Sequence, residues 1–177
     1  MMNSKQAPGY KFEWKDLGNL EVGRPNLGPM TNVAVYRLMQ YTLRNVLIDE
    51  YGAAKTAELL KEAGRMAGHE FCINMLDRTL GFNEFAANLK ETLLKLNIGI
   101  LQIEKSDLEN MNFVMTVSED LDCSGIPIAG DSECDYDAGF IEGIFLAYTG
   151  KFFLAREIDC WASGERTCRF TVELINT

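Results

Sequence analysis

The chain has 177 residues, 47% of them hydrophobic, and a formal net charge of −9. That length and apolar content suit one globular domain with a sizeable core, while the acidic balance argues against phosphate backbones and anionic membrane surfaces as partners. No apolar run reaches the roughly 18–20 residues of a membrane span, and the opening MMNSKQAPGYKFEWKD lacks the apolar stretch of a signal peptide, so a cytoplasmic location is expected. With no secretory signal, five cysteines read as reduced thiols: metal ligands, nucleophiles or small core residues.

Residues 1–30 carry three of the four prolines, Pro8, Pro25 and Pro29, with Tyr10, Phe12 and Trp14 scattered between breakers; they read as an N-terminal arm. Residues 31–177 read as a single domain. Thr31 and Asn32 are good caps, and Val35, Leu38, Met39, Val46 and Leu47 recur at helical spacing as far as about Tyr51. After Gly52 a second helix is expected from Ala53 to about Gly68, with Ala57, Leu60 and Ala67 inward and Lys55, Glu58, Lys61 and Glu62 outward. Gly64 and Gly68, four apart, permit close backbone approach. A short third helix through EFCINMLDR and a fourth capped by Asn83, with the stripe Phe85, Ala86, Leu89, Leu93 and Leu96, complete the helical half.

The period then changes to two. IGILQIEKSD and MNFVMTVSED read as paired strands, the second placing Met111, Phe113, Met115 and Val117 on one face. The loop DCSGIPIAGDSECDYD leads into a fifth helix, AGFIEGIFLAYTG, which Asp135 or Asp137 can cap. KFFLAREIDCW and RTCRFTVELI then form a hairpin over Ser163-Gly164. Helices, hairpin, helix, hairpin is an α+β order with helices on a small antiparallel sheet.

In a hairpin centred on Gly164, Cys160 lies opposite Cys168, with Cβ atoms about 4.5–5.5 Å apart. Three readings of this pair stand open: packed core thiols, a cross-strand disulfide, or a shared metal. Glu157 precedes Cys160 by three residues and Cys134 lies just before the fifth helix, so Cys134, Glu157, Cys160 and Cys168 form a candidate Cys₃Glu set for tetrahedral zinc. Cys72 and Cys123 read as packing residues, with Cys123 as an alternative to Cys134 in the ligand set. In a regular strand Glu157 and Cys160 point to opposite faces, so this set requires a bulge near Asp159. Arg156, Arg166 and Arg169 are near enough in sequence to offset the surplus negative charge. The single histidine, His69, reads as a capping or surface residue.

The span DCSGIPIAGDSECDYDAGFIEGIFLAYTGKFFLAREIDCWASGERTCRF resembles the 4-vinyl reductase domain family: a cysteine before a GFIxG helix, a strand carrying ExxC, a glycine turn, then a cysteine followed by an aromatic two residues on. Cys134, the GFIEG at 139–143, Glu157, Cys160, Gly164, Cys168 and Phe170 fall in place. The resemblance implies the NO-signalling/Golgi-transport ligand-binding type of fold, shared with TRAPP-complex subunits and haem nitric-oxide sensors. It also implies structural zinc at those Cys, Glu, Cys and Cys positions, and binding of apolar small molecules.

The expectation is a non-enzymatic domain that binds a hydrocarbon, lipid-like or tetrapyrrole-like molecule, stabilised by zinc and assembled as a homodimer. Candidate pocket residues are Phe85, Leu89, Phe113, Met115, Phe140 and Ile144, which read equally as ordinary core. Two alternatives are a factor or enzyme in tetrapyrrole vinyl reduction, and an assembly subunit. Against the enzyme, no GxGxxG follows a strand and no nucleophile-histidine arrangement stands out.

Overall fold

The computed structural model describes residues 11–128 and 134–175. The first ten residues of the expected arm, with Pro8 and Tyr10, lie outside the described residues, as do 129–133 of the glycine-punctuated loop and 176–177. The chain divides into two units, Met1–Thr31 and Asn32–Thr177. In the first, a 3-10 turn at Trp14–Leu17 precedes α1 (Leu20–Gly23), which Asn19 caps by accepting a 3.0 Å bond from the Val22 amide.

The second unit runs α2 (Val33–Tyr51), α3 (Ala53–Met75), α4 (Phe82–Lys95), β1 (Ile100–Asp107), β2 (Asn112–Ser118), α5 (Asp135–Thr149), β3 (Phe153–Asp159) and β4 (Cys168–Leu174). The four strands form one antiparallel sheet in the order β1-β2-β4-β3, so the expected α+β class holds. Asn32 caps α2 as its side-chain chemistry predicts, its Oδ1 accepting from the Ala34 amide at 2.8 Å. Asn83 does not cap α4; it sits inside the helix, and Gly81 takes the N-cap.

The expected second and third helices are one. α3 continues through Gly64 and Gly68, because both glycines are used for packing rather than for breaking. A Cβ on Gly64 would stand 2.0 Å from the Tyr136 carbonyl oxygen, and one on Gly68 2.0 Å from that of Phe140. From the other side, a Cβ on Gly139 or Gly143 would stand 1.9 Å or 2.1 Å from the carbonyl oxygens of Lys61 or Arg65. Two glycine pairs thus let α3 and α5 cross at backbone contact, and this offsets the ~1 kcal/mol a mid-helix glycine costs. His69 consequently lies within α3 rather than at a junction, half exposed, with Nδ1 3.7 Å from Glu70.

Amphipathic spacing puts Lys61 outward. It turns in instead, with Nζ 2.8 Å from Glu142 and donating to the Ala155 carbonyl at 2.9 Å. Glu142, 3% exposed, also accepts from Arg65 Nη2 at 2.7 Å and from the Ala155 amide at 3.0 Å. A buried carboxylate with that many donors ties α3, α5 and β3 together.

The alternation in β2 holds for Phe113, Met115 and Val117, but Met111 lies before the strand at a left-handed φ of +52°, and Thr116 of the other face is buried too. Phe113, Met115 and Val117 of β2 and Cys168, Phe170 and Val172 of β4 are buried on one face of the sheet. Phe145 of α5 packs there, its ring 5.0 Å from Phe113 and 4.8 Å from Phe153. α4 joins this core with Phe85, Ala86, Leu89 and Leu93, and Phe85 stacks on Tyr148 of α5. Among the described residues no helix is long and apolar enough to cross a membrane.

Candidate functional site

Between Glu157 and Asp159 the β3–β4 register shifts by one: Glu157 pairs with Phe170, whereas Asp159 pairs with Arg169. This is the bulge that the three-residue spacing of Glu157 and Cys160 demands, with Ile158 as the extra residue. It puts Glu157 on the same face as Phe170 and continues the register so that Cys160 comes opposite Cys168. The chain then turns through Trp161–Ser163, with Gly164 left-handed at φ +104°.

The two facing thiols are joined by two more. Cys123, Cys134, Cys160 and Cys168 are all buried, with their sulfur atoms within 4.8 Å of one another. All five cysteines are free, and Cys123 and Cys168 have their sulfurs 3.0 Å apart, well beyond a disulfide bond of about 2.05 Å. Cys134 lies 3.7 Å from Cys160 and 3.6 Å from Cys168. A tetrahedron of sulfurs about 2.3 Å from a central ion has edges of about 3.8 Å, so the two Cys134 separations suit a small thiophilic ion, while Cys123 and Cys168 have to part by several tenths of an ångström to receive one. The neighbouring thiols, Cys123 first, and burial hold the Cys134 thiol far above its ordinary range, and Cys168 is raised in the same way. Without an ion the Cys134 and Cys168 sulfurs therefore keep their protons.

Of the sequence-derived ligand set, Cys134, Cys160 and Cys168 come together. Cys123 joins them rather than replacing Cys134. Glu157 is not one of the four residues in the cluster. Cys72 is apart, buried in α3, and burial pushes its thiol up to about 11. The expected cationic offset lies elsewhere: Arg169 is engaged by Glu104 and Asp159, Arg156 by Glu173, and Arg166 is exposed.

Cys123 is placed by the DLDC segment. Asp120 Oδ1 accepts from the Asp122 amide at 2.8 Å and the Cys123 amide at 3.0 Å, a buried Asx-type turn that aims the thiol inward. α2 grips this turn from outside. Tyr36 donates to Asp122 Oδ1 at 2.7 Å, Gln40 to Asp122 Oδ2 at 2.7 Å, and Tyr41 to the Asp122 carbonyl at 3.1 Å. Arg37 donates to the carbonyls of Leu121 and Asp120, and Arg44 pairs with Asp135 at 2.9 Å. Cys134 is the N-cap of α5; Asp135 and Asp137, expected as caps, occupy its first turn, where the helix dipole favours negative charge.

Beside the thiols lies a cavity of about 40 Å³ lined by Leu89, Leu93, Met115, Phe140, Ile141 and Ile144 among others, with Asp120 and Asp137 as its polar members. Of the six candidate pocket residues, Leu89, Met115, Phe140 and Ile144 line it. Phe85 is taken up by Tyr148, and Phe113 sits among Phe82, Phe145 and Phe153 in the aromatic core. Burial, then repulsion from Asp122, raises Asp120 to about 6; burial, then Asp120 and Asp122, raises Asp137 well above the carboxylate range. Sequence reasoning passes over Asp120, Asp122 and Asp137 as site residues. The signal available is that DLDC and CDYD each pack two aspartates beside a cysteine.

Residues 113–174 match the family model of the 4-vinyl reductase domain, which bears out the resemblance read from the motifs. The fold is that of three solved structures. A vinyl-4-reductase family protein from Methanocaldococcus jannaschii aligns over 95% of this chain and 100% of its own, at 17% identity and a TM-score of 0.59. A trafficking protein particle complex subunit 3 from Naegleria fowleri, covalently bound to palmitic acid, aligns over 82% and 96%, at 12% identity and a TM-score of 0.65. The phenol-responsive sensory domain of the transcription activator PoxR, solved with phenol, aligns over 82% and 76%, at 18% identity and a TM-score of 0.59.

Proposed function

We propose that this chain, which carries a 4-vinyl reductase domain at residues 113–174, is a non-enzymatic binding module for a compact apolar small molecule, stiffened by one structural zinc ion. The carrying observation is the largely apolar cavity under Leu89, Met115, Phe140 and Ile144, which shares the N-terminal turn of α5 with a buried four-thiol cluster. Phenol in the PoxR sensory domain and palmitic acid on the trafficking subunit support it, as apolar molecules held by proteins of the same fold. A cavity of about 40 Å³ favours a ligand of ring size over a tetrapyrrole. The walls still have to part, since an engineered cavity that takes up benzene measures about 150 Å³; Met115 and the leucines can yield.

Zinc suits the donors: four thiolates select a soft tetrahedral ion over calcium or magnesium, and a filled tetrahedron leaves no position for an activated water. Cys134, Cys160 and Cys168 hold the ion, with Cys123 as fourth ligand in preference to Glu157, because Cys123 already lies with the other sulfurs. The ion joins the turn after β2, the start of α5 and the β3–β4 hairpin, elements distant in sequence, and so holds the rim of the cavity.

The module acts as a homodimer through α2. That helix buries no residue, and Val35, Leu38, Met39 and Val46 are each more than half exposed, although its polar side is engaged by the Asp120–Asp122 turn. Such a bare apolar helix face fits a second copy of the same helix.

Native mass spectrometry of freshly purified protein tests all three parts: a mass of two chains, one zinc per chain, and a carried-over small molecule. Less than about 0.2 zinc per chain after metal-replete expression rejects the metal reading. Leu38→Glu is expected to shift the dimer to monomer with the zinc retained.

A further inference from the structure

Asp137 Oδ2 is buried and accepts no hydrogen bond from any described residue. The neighbouring acid does not share this condition: Asp120 Oδ1 is taken by the amides of Asp122 and Cys123. Around Asp137 the groups at hand are Asp120 and Cys134, whose ligand atoms lie within 4.8 Å and supply no cation. The remaining lining of the cavity that Asp137 enters is hydrocarbon, from Leu89, Leu93, Met115, Phe140 and Ile144. A buried acceptor left unmatched is costly, and the protein carries it in the lining of a cavity where a molecule can supply the missing donor.

We infer that the cavity selects an apolar molecule bearing a single hydrogen-bond donor, a hydroxyl or an ammonium, that donates to Asp137 Oδ2. This rests on the small-molecule reading above and adds the polar half of the ligand. Asp137 is then the specificity-determining residue. A donor head takes over whatever hydrogen bond water gives the carboxyl, whereas a pure hydrocarbon displaces that water and returns nothing. Asp137 is also well placed to act, because it sits on the first turn of α5, whose position is set by backbone contact with α3 and by Cys134.

Three probes of one shape decide it by calorimetry on the full chain: benzyl alcohol, benzylamine and ethylbenzene. The expected result is that one donor-bearing probe binds about 10–100-fold tighter than ethylbenzene, the range of the cost of leaving a buried acceptor unmatched. Asp137→Leu should abolish that preference while leaving ethylbenzene bound. Asp137→Asn, which keeps the shape, should weaken benzylamine far more than benzyl alcohol if the head is an ammonium, and should affect both less if it is a hydroxyl. Should Asp137→Leu fail to fold, the wild-type ranking and Asp137→Asn still decide. Equal binding of all three probes by wild type overturns the inference and leaves the small-molecule reading standing. No binding of any of them rejects both. A second equivalent of zinc, lost in Asp137→Asn, also overturns it, since the oxygen would then be an ion ligand.

Discussion

Glu142, a buried acid, and Asp137, a half-buried acid with one buried oxygen, lie on the same helix and stand in opposite situations. Glu142 is met by Lys61, Arg65 and the Ala155 amide, and its stretch of α5 is pressed against α3 through four glycines. Asp137, five residues earlier, has an oxygen with no donor from the described residues, beside the four-thiol cluster. The later part of α5 is complete in itself. Its first turn carries the proposed sites, the four-thiol cluster on one side and the cavity on the other. Stability and function thus divide along one helix within a few residues, because a satisfied carboxylate makes a joint and an unsatisfied one makes a receptor.

The comparison breaks most severely if the joint is filled. Gly139→Val places side-chain carbon within the van der Waals radius of the Lys61 carbonyl, a backbone atom that cannot step aside without separating α3 from α5. Loss of about 5 kcal/mol or more is expected, comparable with the whole stability of a small domain, so circular dichroism should show no cooperative melt at 37 °C. A melt within a few degrees of wild type would mean the helices do not touch as described.

Next comes the receptor side. Cys168→Ser, or a strong chelator, should lower the melting temperature by roughly 10–20 °C, a fraction of the ~10 kcal/mol structural zinc can contribute. Cys123→Ser should do the same and lose zinc, while Glu157→Gln keeps it; the reverse pattern hands the fourth position to Glu157. Proton dependence adds a sharper test. In the metal-free fold the Cys134 and Cys168 thiols are held above their ordinary range, so unfolded thiols ionise first as pH rises. The metal-free protein should lose stability as pH climbs past about 8.5, because there the native state binds more protons than the unfolded one. The zinc-loaded protein, already deprotonated at sulfur, should not show that loss, and zinc uptake should release protons at neutral pH.

Glu142→Ala removes the buried carboxylate shared by Lys61 and Arg65, leaving Lys61 the Ala155 carbonyl and Arg65 the exposed Glu62, at an expected cost of about 2–3 kcal/mol, about 5–10 °C in melting temperature. Zinc content should stay at wild-type level, which distinguishes this joint from the metal site. The smallest effect belongs to the contact between α2 and the DLDC turn. Tyr36→Phe deletes one of the two side-chain donors to the Asp122 carboxylate and leaves Gln40, so about 1–2 kcal/mol is expected. If that substitution nevertheless halves zinc retention under chelator challenge, α2 is a support of the metal site and not only a surface helix.

Much of this is legible in the residues alone. The change of period near residue 98 separates helices from strands, and the alternation Phe113, Met115, Val117 marks the buried face of β2. A bulge near Asp159 follows from reading Glu157 and Cys160 as ligands on one face, and the register does shift between Glu157 and Asp159, although Glu157 is not one of the four clustered residues. Cys160 facing Cys168 follows from hairpin arithmetic, since pleat parity is a local property of the chain. Where the sequence misleads, a long-range partner decides. Gly64 and Gly68 look like a helix end until α5 lies against them, and Lys61 looks solvent-facing until Glu142 is beneath it. Cys123 and Cys134 are eleven residues apart across a loop, and no periodicity reports that both sulfurs meet the hairpin pair. Likewise nothing in CDYD distinguishes the aspartate that pairs with Arg44 from the one left facing the cavity. Local propensity and patterning are written in neighbouring residues; whether a buried polar atom finds a partner depends on what the rest of the chain brings to it, and only the tertiary structure decides that.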